Sequence, residues 1–153
     1  MQNSHIIGGE FGIDLQGFQY AQSNNGFLEG IYKYSSGRSA LYYILLDVQK
    51  RYGITTAYLP NYLCSSVVVA AEKSQVKVVF YNLNDQLEID IEKFPLDDNE
   101  KAAVLLINYF GLKSLQLQVE LVRSISMEAI VIEDDVQAFY EFCKPELAAD
   151  YKF

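Results

Sequence analysis

The amino-acid sequence predicts an α/β domain built on a largely parallel sheet. Short apolar runs of strand character alternate with helical segments of roughly 12 to 15 residues, and that alternation favours parallel strands joined by helices. The run Ala102–Asn108 is almost continuously apolar, as expected for a strand buried on both faces of a sheet. With 153 residues, of which 50% are hydrophobic and 21% charged, the chain suits one globular domain with a substantial core.

The first helix has the clearest signals. The segment Arg38–Tyr52 carries apolar residues at helical spacing, and Gly53 follows as a C-terminal stop. These apolar residues are Leu41, Ile44, Leu45 and Val48. Residues 1–34 are rich in Gly, Gln and Asn and are predicted to form an irregular N-terminal arm. The folded domain is therefore predicted to span residues 35–153.

Further strands are predicted where β-branched and aromatic residues cluster between turn signals. In chain order they are Ala57–Leu59, which Pro60 ends, Val76–Tyr81, Ala102–Asn108, Ala129–Ile132 and the beginning of a strand at Ala149–Phe153. The helices between them are predicted at Tyr62–Lys73, briefly at Ile91–Phe94, and from a capping Ser114 to about Met127.

Charge and composition exclude several classes of partner. The formal net charge of −8 argues against nucleic acid, because phosphate backbones bind basic patches. Lys and Arg are scattered, which disfavours a membrane surface, and the apolar run Ala102–Ile107 is too short to span a bilayer. Met1–Glu10 has no secretory pattern, and Cys64 and Cys143 have no metal-ligand spacing around them. We therefore expect a reduced, cytoplasmic protein.

The predicted fold indicates where a ligand would bind. In parallel sheets, ligands bind beyond the carboxyl ends of the strands and at helix N-termini. Four segments satisfy that rule: Ser35–Ser39, Pro60–Cys64, Asn108–Gly111 and Glu133–Gln137. No Gly-x-Ser-x-Gly elbow, Walker A loop or Rossmann glycine fingerprint occurs, so these four segments are the candidates.

The segment Ser36–Ser39 could hold a phosphate. It reads Ser-Gly-Arg-Ser and directly precedes the first helix. Its glycine allows a close backbone approach, and its N–H groups and hydroxyls would lie at the positive end of the helix dipole. A simple N-cap turn is the alternative interpretation, and it needs no ligand.

Three consecutive carboxylates, Glu133, Asp134 and Asp135, end the strand Ala129–Ile132. Buried carboxylates are costly without a cation, and a cation a few ångströms away contributes about 4 kcal/mol at intermediate dielectric. That cation could be a metal ion, an arginine or a protonated heterocycle; a solvated strand end or a helix cap is the alternative. A metal ion has little support, since the single histidine lies in the N-terminal arm. Gln137 lies three residues beyond Asp134, so both side chains could face one ligand.

Taken in order, these segments resemble the sugar aminotransferase family of the DegT/StrS type, whose members are fold-type I pyridoxal-phosphate enzymes. The family's Ser-Gly-Thr-x-Ala-Leu turn is similar to Ser36–Leu41, and its Pro-x-Tyr-Thr-Cys turn is similar to Pro60–Cys64. Its next strand resembles Val76–Tyr81, and its His-x-x-Gly resembles Asn108–Gly111. Its strongest signature, Ile-Glu-Asp-Ala-Ala-Gln-Ala, resembles Ile132–Ala138. The resemblance covers most of the chain and implies a three-layer αβα fold.

The resemblance also implies a role for each matching residue. Asp134 would pair with the pyridinium nitrogen of pyridoxal 5'-phosphate, and Gln137 would hydrogen-bond its ring hydroxyl. The other implied contacts are to the phosphate for Gly37, Arg38 and Ser39, to the ring face for Cys64 and to the substrate for Asn108. Three positions depart from the family pattern: Arg38 replaces Thr, Asn108 replaces His, and Asp135 adds a charge where Ala is common.

The family's Schiff-base lysine has no counterpart in this sequence. It follows the strand predicted to begin near Tyr151, and neither Lys144 nor Lys152 has the matching context. We therefore expect a chain truncated before that lysine and before the C-terminal domain, with no catalytic residue of its own and at best weak, non-covalent cofactor binding.

For the full-length parent, the resemblance implies transfer of an amino group from a donor such as glutamate to a keto-sugar, often nucleotide-linked, in a homodimer. Two alternatives stay open. The chain could be a catalytically silent domain that acts in binding or dimerisation, or part of a pyridoxal-phosphate-dependent sugar dehydratase. A lysine shortly after Phe153 in the parent gene would favour the transaminase, a histidine the dehydratase, and a stop codon the silent domain.

Overall fold

The computed structural model describes residues 32–138 and 149–153, within which helices and strands alternate. The elements are α1 (Gly37–Tyr52), β1 (Thr56–Pro60), α2 (Ser65–Lys73), β2 (Lys77–Tyr81), β3 (Ala103–Ile107), α3 (Gln116–Ile125), β4 (Ile130–Asp134) and β5 (Tyr151–Lys152). Single turns of 3-10 helix lie at Ile91–Lys93 and Tyr109–Gly111. In the described part of the chain, every helix is too short or too polar to cross a membrane.

Helix α1 is bounded by the residues that predicted it. The Ser36 hydroxyl accepts a hydrogen bond from the Ser39 N–H at 3.2 Å and caps the first turn. Gly53 ends the helix in the left-handed conformation, with φ at 69°, and its N–H donates to Gln49 O. Leu41 and Leu45 on the inner face are almost completely buried, so the helix is fixed against the sheet by its apolar stripe.

The described strands form one parallel sheet in the order β2-β1-β3-β4-β5. All five residues of β3 are buried, as its continuous apolar sequence predicted for a central strand. Strand β2 lies on one side of β1, whereas β3, β4 and β5 follow on the other side. The direction of winding therefore reverses between β1 and β3, and such a switch point opens a crevice at the carboxyl end of a sheet.

Helices cover both faces of the sheet, and side chains of β3 point alternately to the two sides. Leu105 packs in a core with α1 and α2, to which Leu41 and Val67 belong. Leu106 packs in a second core with α3, to which Val119 belongs. The predicted α/β class, with three layers and a parallel sheet, is confirmed.

Two predicted helix boundaries were wrong. Helix α2 begins at Ser65 rather than at Tyr62, because the chain stays extended past Pro60 and the Asn61 N–H still pairs with Tyr81 O at 2.8 Å. Helix α3 begins at Gln116; Ser114 lies outside it, although its hydroxyl accepts a hydrogen bond from the Gln116 N–H at 3.3 Å. The predicted N-terminal arm falls almost wholly outside the described residues, as do Cys143 and Lys144.

Candidate functional site

A cavity of about 640 Å³ lies at the carboxyl end of the sheet, at the switch point between β1 and β3. Small-molecule sites typically enclose about 300–1,000 Å³, so its size suits a cofactor. Its walls come from the N-terminus of α1, the turn between β1 and α2, and the ends of β3 and β4. Five of the sequence-predicted site residues line it: Gly37, Arg38, Cys64, Asp134 and Gln137.

The N-terminus of α1 forms one wall. A Cβ atom added to Gly37 would lie 2.9 Å from the Val136 side chain and 3.5 Å from Phe153, so a larger residue here would force Val136 to shift. Among the described residues, the N–H groups of Gly37 and Arg38 have no hydrogen-bond acceptor. Unpaired N–H groups at a helix N-terminus bind anions. This wall can therefore hold a phosphate.

Ser39, also predicted to contact the phosphate, lies one step back from the cavity. Its N–H donates to the Ser36 hydroxyl, and its own hydroxyl shares hydrogen bonds with those of Ser36 at 3.0 Å and Ser35 at 3.2 Å. It does not line the cavity. The structure thus places Ser39 in the hydroxyl cluster that shapes the first turn of α1.

Asp134 forms the opposite polar point of the cavity. Its side chain is only 7% exposed, and one carboxylate oxygen accepts a hydrogen bond from the Val136 N–H at 3.0 Å. In the described ranges, no lysine or arginine forms an ion pair with it. Burial raises the pKa of Asp134; the Val136 hydrogen bond opposes that rise, and the charge of Asp135 adds to it. A cation delivered by a ligand would offset the free-energy cost of burying the ionised Asp134 carboxylate.

The neighbouring carboxylates point to the other face of the sheet, where a lysine compensates them. Lys152 Nζ lies 2.7 Å from Asp135 Oδ2 and 3.7 Å from Glu133 Oε1, and all three side chains are buried. The contact to Asp135 is an ion pair without hydrogen-bond geometry. The expectation of a metal ion, an arginine or a heterocycle was therefore wrong for these two residues. Their partner is a lysine on β5.

Asn108 belongs to this second cluster rather than to the cavity. Its amide nitrogen donates to Asp135 Oδ1 at 3.0 Å, and the residue is 2% exposed. It follows β3, where Ile107 pairs with Asp134, so Asn108 lies opposite Asp135 on the α3 side of the sheet. The structure does not bring Asn108 to the cavity, and its predicted contact with substrate has no support from its position.

Two tyrosines form a wall that the sequence reasoning did not single out. Tyr109 donates its hydroxyl hydrogen to Tyr62 O, and the two rings lie 5.7 Å apart. Burial raises the pKa of Tyr109, and the nearby charges of Asp134 and Tyr62 raise it further. Both residues lie inside segments that the sequence had marked as candidate sites. Their aromatic character was the available signal.

Cys64 presents an exposed thiol to the cavity at the N-terminus of α2. The Ser66 hydroxyl donates to its sulfur at 3.2 Å. This hydrogen bond is the main cause that lowers the pKa of Cys64, and the charge of Arg38 contributes. Arg38 is itself exposed, and no carboxylate pairs with it within residues 32–138 and 149–153. The cavity rim therefore carries a positive charge that no described carboxylate neutralises.

Gln137 and Phe153 complete the cavity. The side-chain oxygen of Gln137 accepts a hydrogen bond from the Phe110 N–H at 3.2 Å, which leaves its amide nitrogen as the group that can donate to a ligand. Phe153 was not predicted as a site residue, because only the pairing of β5 with β4 brings it beside α1.

No lysine of the described residues lines the cavity. Lys152 is turned to the opposite face of the sheet, where it is committed to the two buried carboxylates. The cavity can therefore bind a ligand that has an anionic group and a protonated nitrogen. Its described walls offer no amine for a covalent bond to that ligand.

No family model matches the sequence, and no curated protein matches it.

Several solved structures are similar to part of this chain. One is aspartate aminotransferase from the cytoplasm of Saccharomyces cerevisiae, with 20% identity and a TM-score of 0.47 over 64% of this chain and 26% of that one. Another is an aromatic amino acid aminotransferase from Burkholderia cenocepacia J2315, with 15% identity and a TM-score of 0.49 over 67% of this chain and 31% of that one. A third is a DegT DnrJ EryC1 StrS aminotransferase from Brucella abortus, with 14% identity and a TM-score of 0.45 over 61% and 28%. The chain spans less than a third of the length of each of these proteins.

Proposed function

We propose that the cavity binds pyridoxal 5'-phosphate and that the chain is the cofactor-binding part of an aminotransferase-like protein. The observation that carries the proposal is a pair of uncompensated groups in one cavity. The buried carboxylate of Asp134 has no cation within the described residues, and the N-terminus of α1 at Gly37 has N–H groups without acceptors. A ring nitrogen that carries a proton and a phosphate on the same ligand match these two groups.

Asp134 is suited to hold the proton of a pyridine nitrogen. An isolated buried carboxylate favours its neutral form, whereas a cationic N–H partner restores the ionised form. The Val136 N–H fixes one carboxylate oxygen, so the direction of the side chain is set before a ligand arrives. When bound, a protonated pyridine ring supplies an electron sink for chemistry at the attached carbon. The contribution of Asp134 is to keep the nitrogen protonated.

The other walls would orient the ligand. The N–H groups of Gly37 and Arg38 would hold the phosphate, with the Arg38 guanidinium adding charge at the rim. Cys64 and Tyr109 would face the ring, and the Gln137 amide nitrogen would donate to a ring oxygen. The resemblance of Ile132–Ala138 to the sugar aminotransferase signature supports this assignment of roles.

For a whole protein, we propose transfer of an amino group to a keto-sugar by a homodimer in the cytoplasm. The general acid and base of such a transfer would be a lysine that lies outside the described cavity walls. The absence of any lysine from those walls equally favours a second function, in which the chain binds the cofactor without turnover.

The experiment is a binding titration with pyridoxamine 5'-phosphate, whose lack of an aldehyde prevents adducts with surface lysines. Binding should weaken about 10- to 100-fold in Asp134→Asn, because hydrogen bonds to charged groups contribute about 1.5–3 kcal/mol. Asp135→Asn removes the same charge one residue away, on the opposite face, and should retain the wild-type affinity in the folded protein. No saturable binding by the wild type, or equal losses in both variants, would exclude the proposed site.

A further inference from the structure

The turn that follows β3 has an unusual backbone. Phe110 has φ at 61° and Gly111 has φ at 64°, both in the left-handed region. Glycine adopts that region freely, whereas a bulky residue such as phenylalanine is strained there. The Phe110 side chain is 60% exposed, so burial of its ring does not compensate the strain. Another interaction must hold the turn.

At Phe110 itself, the described structure shows a hydrogen bond from the Phe110 N–H to Gln137 Oε1 at 3.2 Å. The segment that carries Gln137 is itself firmly held. The Val136 N–H donates to Asp134 Oδ1 at 3.0 Å, and the Ala138 N–H donates to Asp135 O at 2.7 Å.

The turn also packs closely on this segment. A Cβ atom added to Gly111 would lie 3.2 Å from the Cα and Cβ atoms of Ala138. Gln137 therefore joins the turn to a segment that is itself hydrogen-bonded to the end of β4.

The conformation of the turn decides where Tyr109 lies. Tyr109 directly precedes the strained residue, lines the cavity, and donates its hydroxyl to Tyr62 O. Tyr62 lies on the turn between β1 and α2, so this hydrogen bond joins the ends of two neighbouring strands across the switch point. If the backbone at Phe110 left the left-handed conformation, Tyr109 would move and its hydrogen bond to Tyr62 would be lost.

We infer that Gln137 is a positioning residue: its hydrogen bond to Phe110 holds the left-handed turn that keeps Tyr109 and Tyr62 in place as one wall of the cavity. The inference goes beyond a direct contact between Gln137 and the ligand, and its effect on affinity rests on the proposed function. The strain at a left-handed phenylalanine and the gain from one hydrogen bond are similar in size, so we expect removal of the bond to loosen the turn at Phe110.

The test combines removal of the hydrogen bond with relief of the strain. Gln137→Met keeps the length of the side chain but lacks the acceptor, and it should weaken binding of pyridoxamine 5'-phosphate about fivefold or more. Phe110→Gly makes the left-handed conformation inexpensive for the backbone. In the Phe110→Gly background, Gln137→Met should lose only the affinity that a direct hydrogen bond to the ligand supplies, and should therefore cost clearly less than in the wild-type background.

Direct contact with the ligand predicts a different result. If Gln137 acted only on the ligand, Gln137→Met would cost the same affinity with phenylalanine or glycine at position 110, and that result would overturn the inference. Gln137→Glu keeps an acceptor oxygen and should leave the turn in place. Thermal unfolding of each variant identifies any that fail to fold.

Hydrogen exchange separates this inference from the proposed function. In the ligand-free protein, the Phe110 amide should exchange faster in Gln137→Met than in the wild type or in Gln137→Glu. Equal exchange in all three proteins would refute the positioning role even if the ligand binds. Faster exchange in Gln137→Met, together with no binding by any variant, would retain the role of Gln137 in the turn and reject the cofactor.

Discussion

The two sides of the sheet at the end of β4 differ in how they compensate negative charge. On the α3 side, Glu133 and Asp135 share Lys152, and Asn108 donates a further hydrogen bond to Asp135. On the cavity side, the equally buried Asp134 has a single backbone hydrogen bond and no cation from the described residues. Consecutive strand residues alternate between faces, so three adjacent carboxylates in the sequence occupy two unlike environments.

The difference separates carboxylates that the fold itself compensates from one that is available to a ligand. A buried ion pair whose partners satisfy one another needs nothing from solution, although it can contribute little net stability. A buried carboxylate without a cation is a cost that the fold bears unless a ligand relieves it. The acidic run alone therefore does not indicate a ligand site; the candidate is the member that faces the cavity.

The largest expected effect is a loss of stability on the α3 side of the sheet, where Lys152 compensates Glu133 and Asp135. Lys152→Met should lower the free energy of unfolding by about 3–5 kcal/mol, because it leaves two buried carboxylates without a cation. Urea unfolding at pH 7 measures the loss. Lys101→Met is the control, since Lys101 and Glu128 form an ion pair with both side chains more than half exposed, and it should cost about 0–1 kcal/mol. Equal losses of unfolding free energy in the two variants would contradict the expected difference between the buried and the exposed ion pair.

The next effect is on the pH dependence of stability. Burial, reinforced by Asp135, raises the pKa of Glu133 from 4.5 to about 7, although Lys152 opposes the rise. A raised folded-state pKa gives a stability contribution that is complete below pH 4.5 and is lost as the pH rises through about 7. The loss should be on the order of 3 kcal/mol. Asp134 changes stability in the same direction, since burial raises its pKa as well.

Urea unfolding between pH 4 and pH 8 measures this dependence. Glu133→Gln removes the titrating group and should therefore remove most of the pH dependence of the free energy of unfolding between pH 4 and pH 8. A wild-type stability that stays constant or increases from pH 4.5 to pH 7 would show that Lys152 outweighs burial at Glu133.

The smallest expected effect is the change in stability when one carboxylate is replaced by asparagine, and its sign should differ between the two sides of the sheet. Asp134→Asn should leave the stability of the ligand-free protein unchanged or raise it, by less than the roughly 3 kcal/mol lost with a broken buried pair. The asparagine oxygen can still accept the Val136 hydrogen bond. Asp135→Asn should lower stability, because Lys152 loses its closer partner. Thermal unfolding of the two variants at pH 7 makes the comparison, and a loss of stability in both would remove the distinction between the two sides.

Much of the site followed from local patterns. The Ser36–Ser39 turn lies where the sequence predicted. A capping hydroxyl and the apolar stripe of a helix are both set by residues close together in the sequence. The carboxylates of β4 end a buried strand, as its apolar run predicted. The rule for parallel sheets then correctly placed both segments at one edge. The substrate contact that the resemblance implied for Asn108 has no support from its position, since the pattern of a continuously apolar strand does not reveal which face each residue takes.

Local patterns could not predict which distant residues contact the acidic residues of β4 and the aromatic wall of the cavity. Lys152 lies beside Glu133 only because β5 pairs with β4 in a particular register. Tyr109 and Tyr62 are 47 residues apart and meet only because β3 lies next to β1. Neither pairing leaves a periodic signal in the sequence.

By itself, the sequence determined the alternation of helices and buried strands, the cap and stop of α1, and the accumulation of acidic residues at the end of β4. These are local properties, set by side-chain periodicity and backbone conformation within a few residues. Only the tertiary structure decided which of the carboxylates Lys152 compensates and which aromatic side chains line the cavity that Asp134 faces. Strand order and register bring distant residues together, and they depend on how the whole sheet packs.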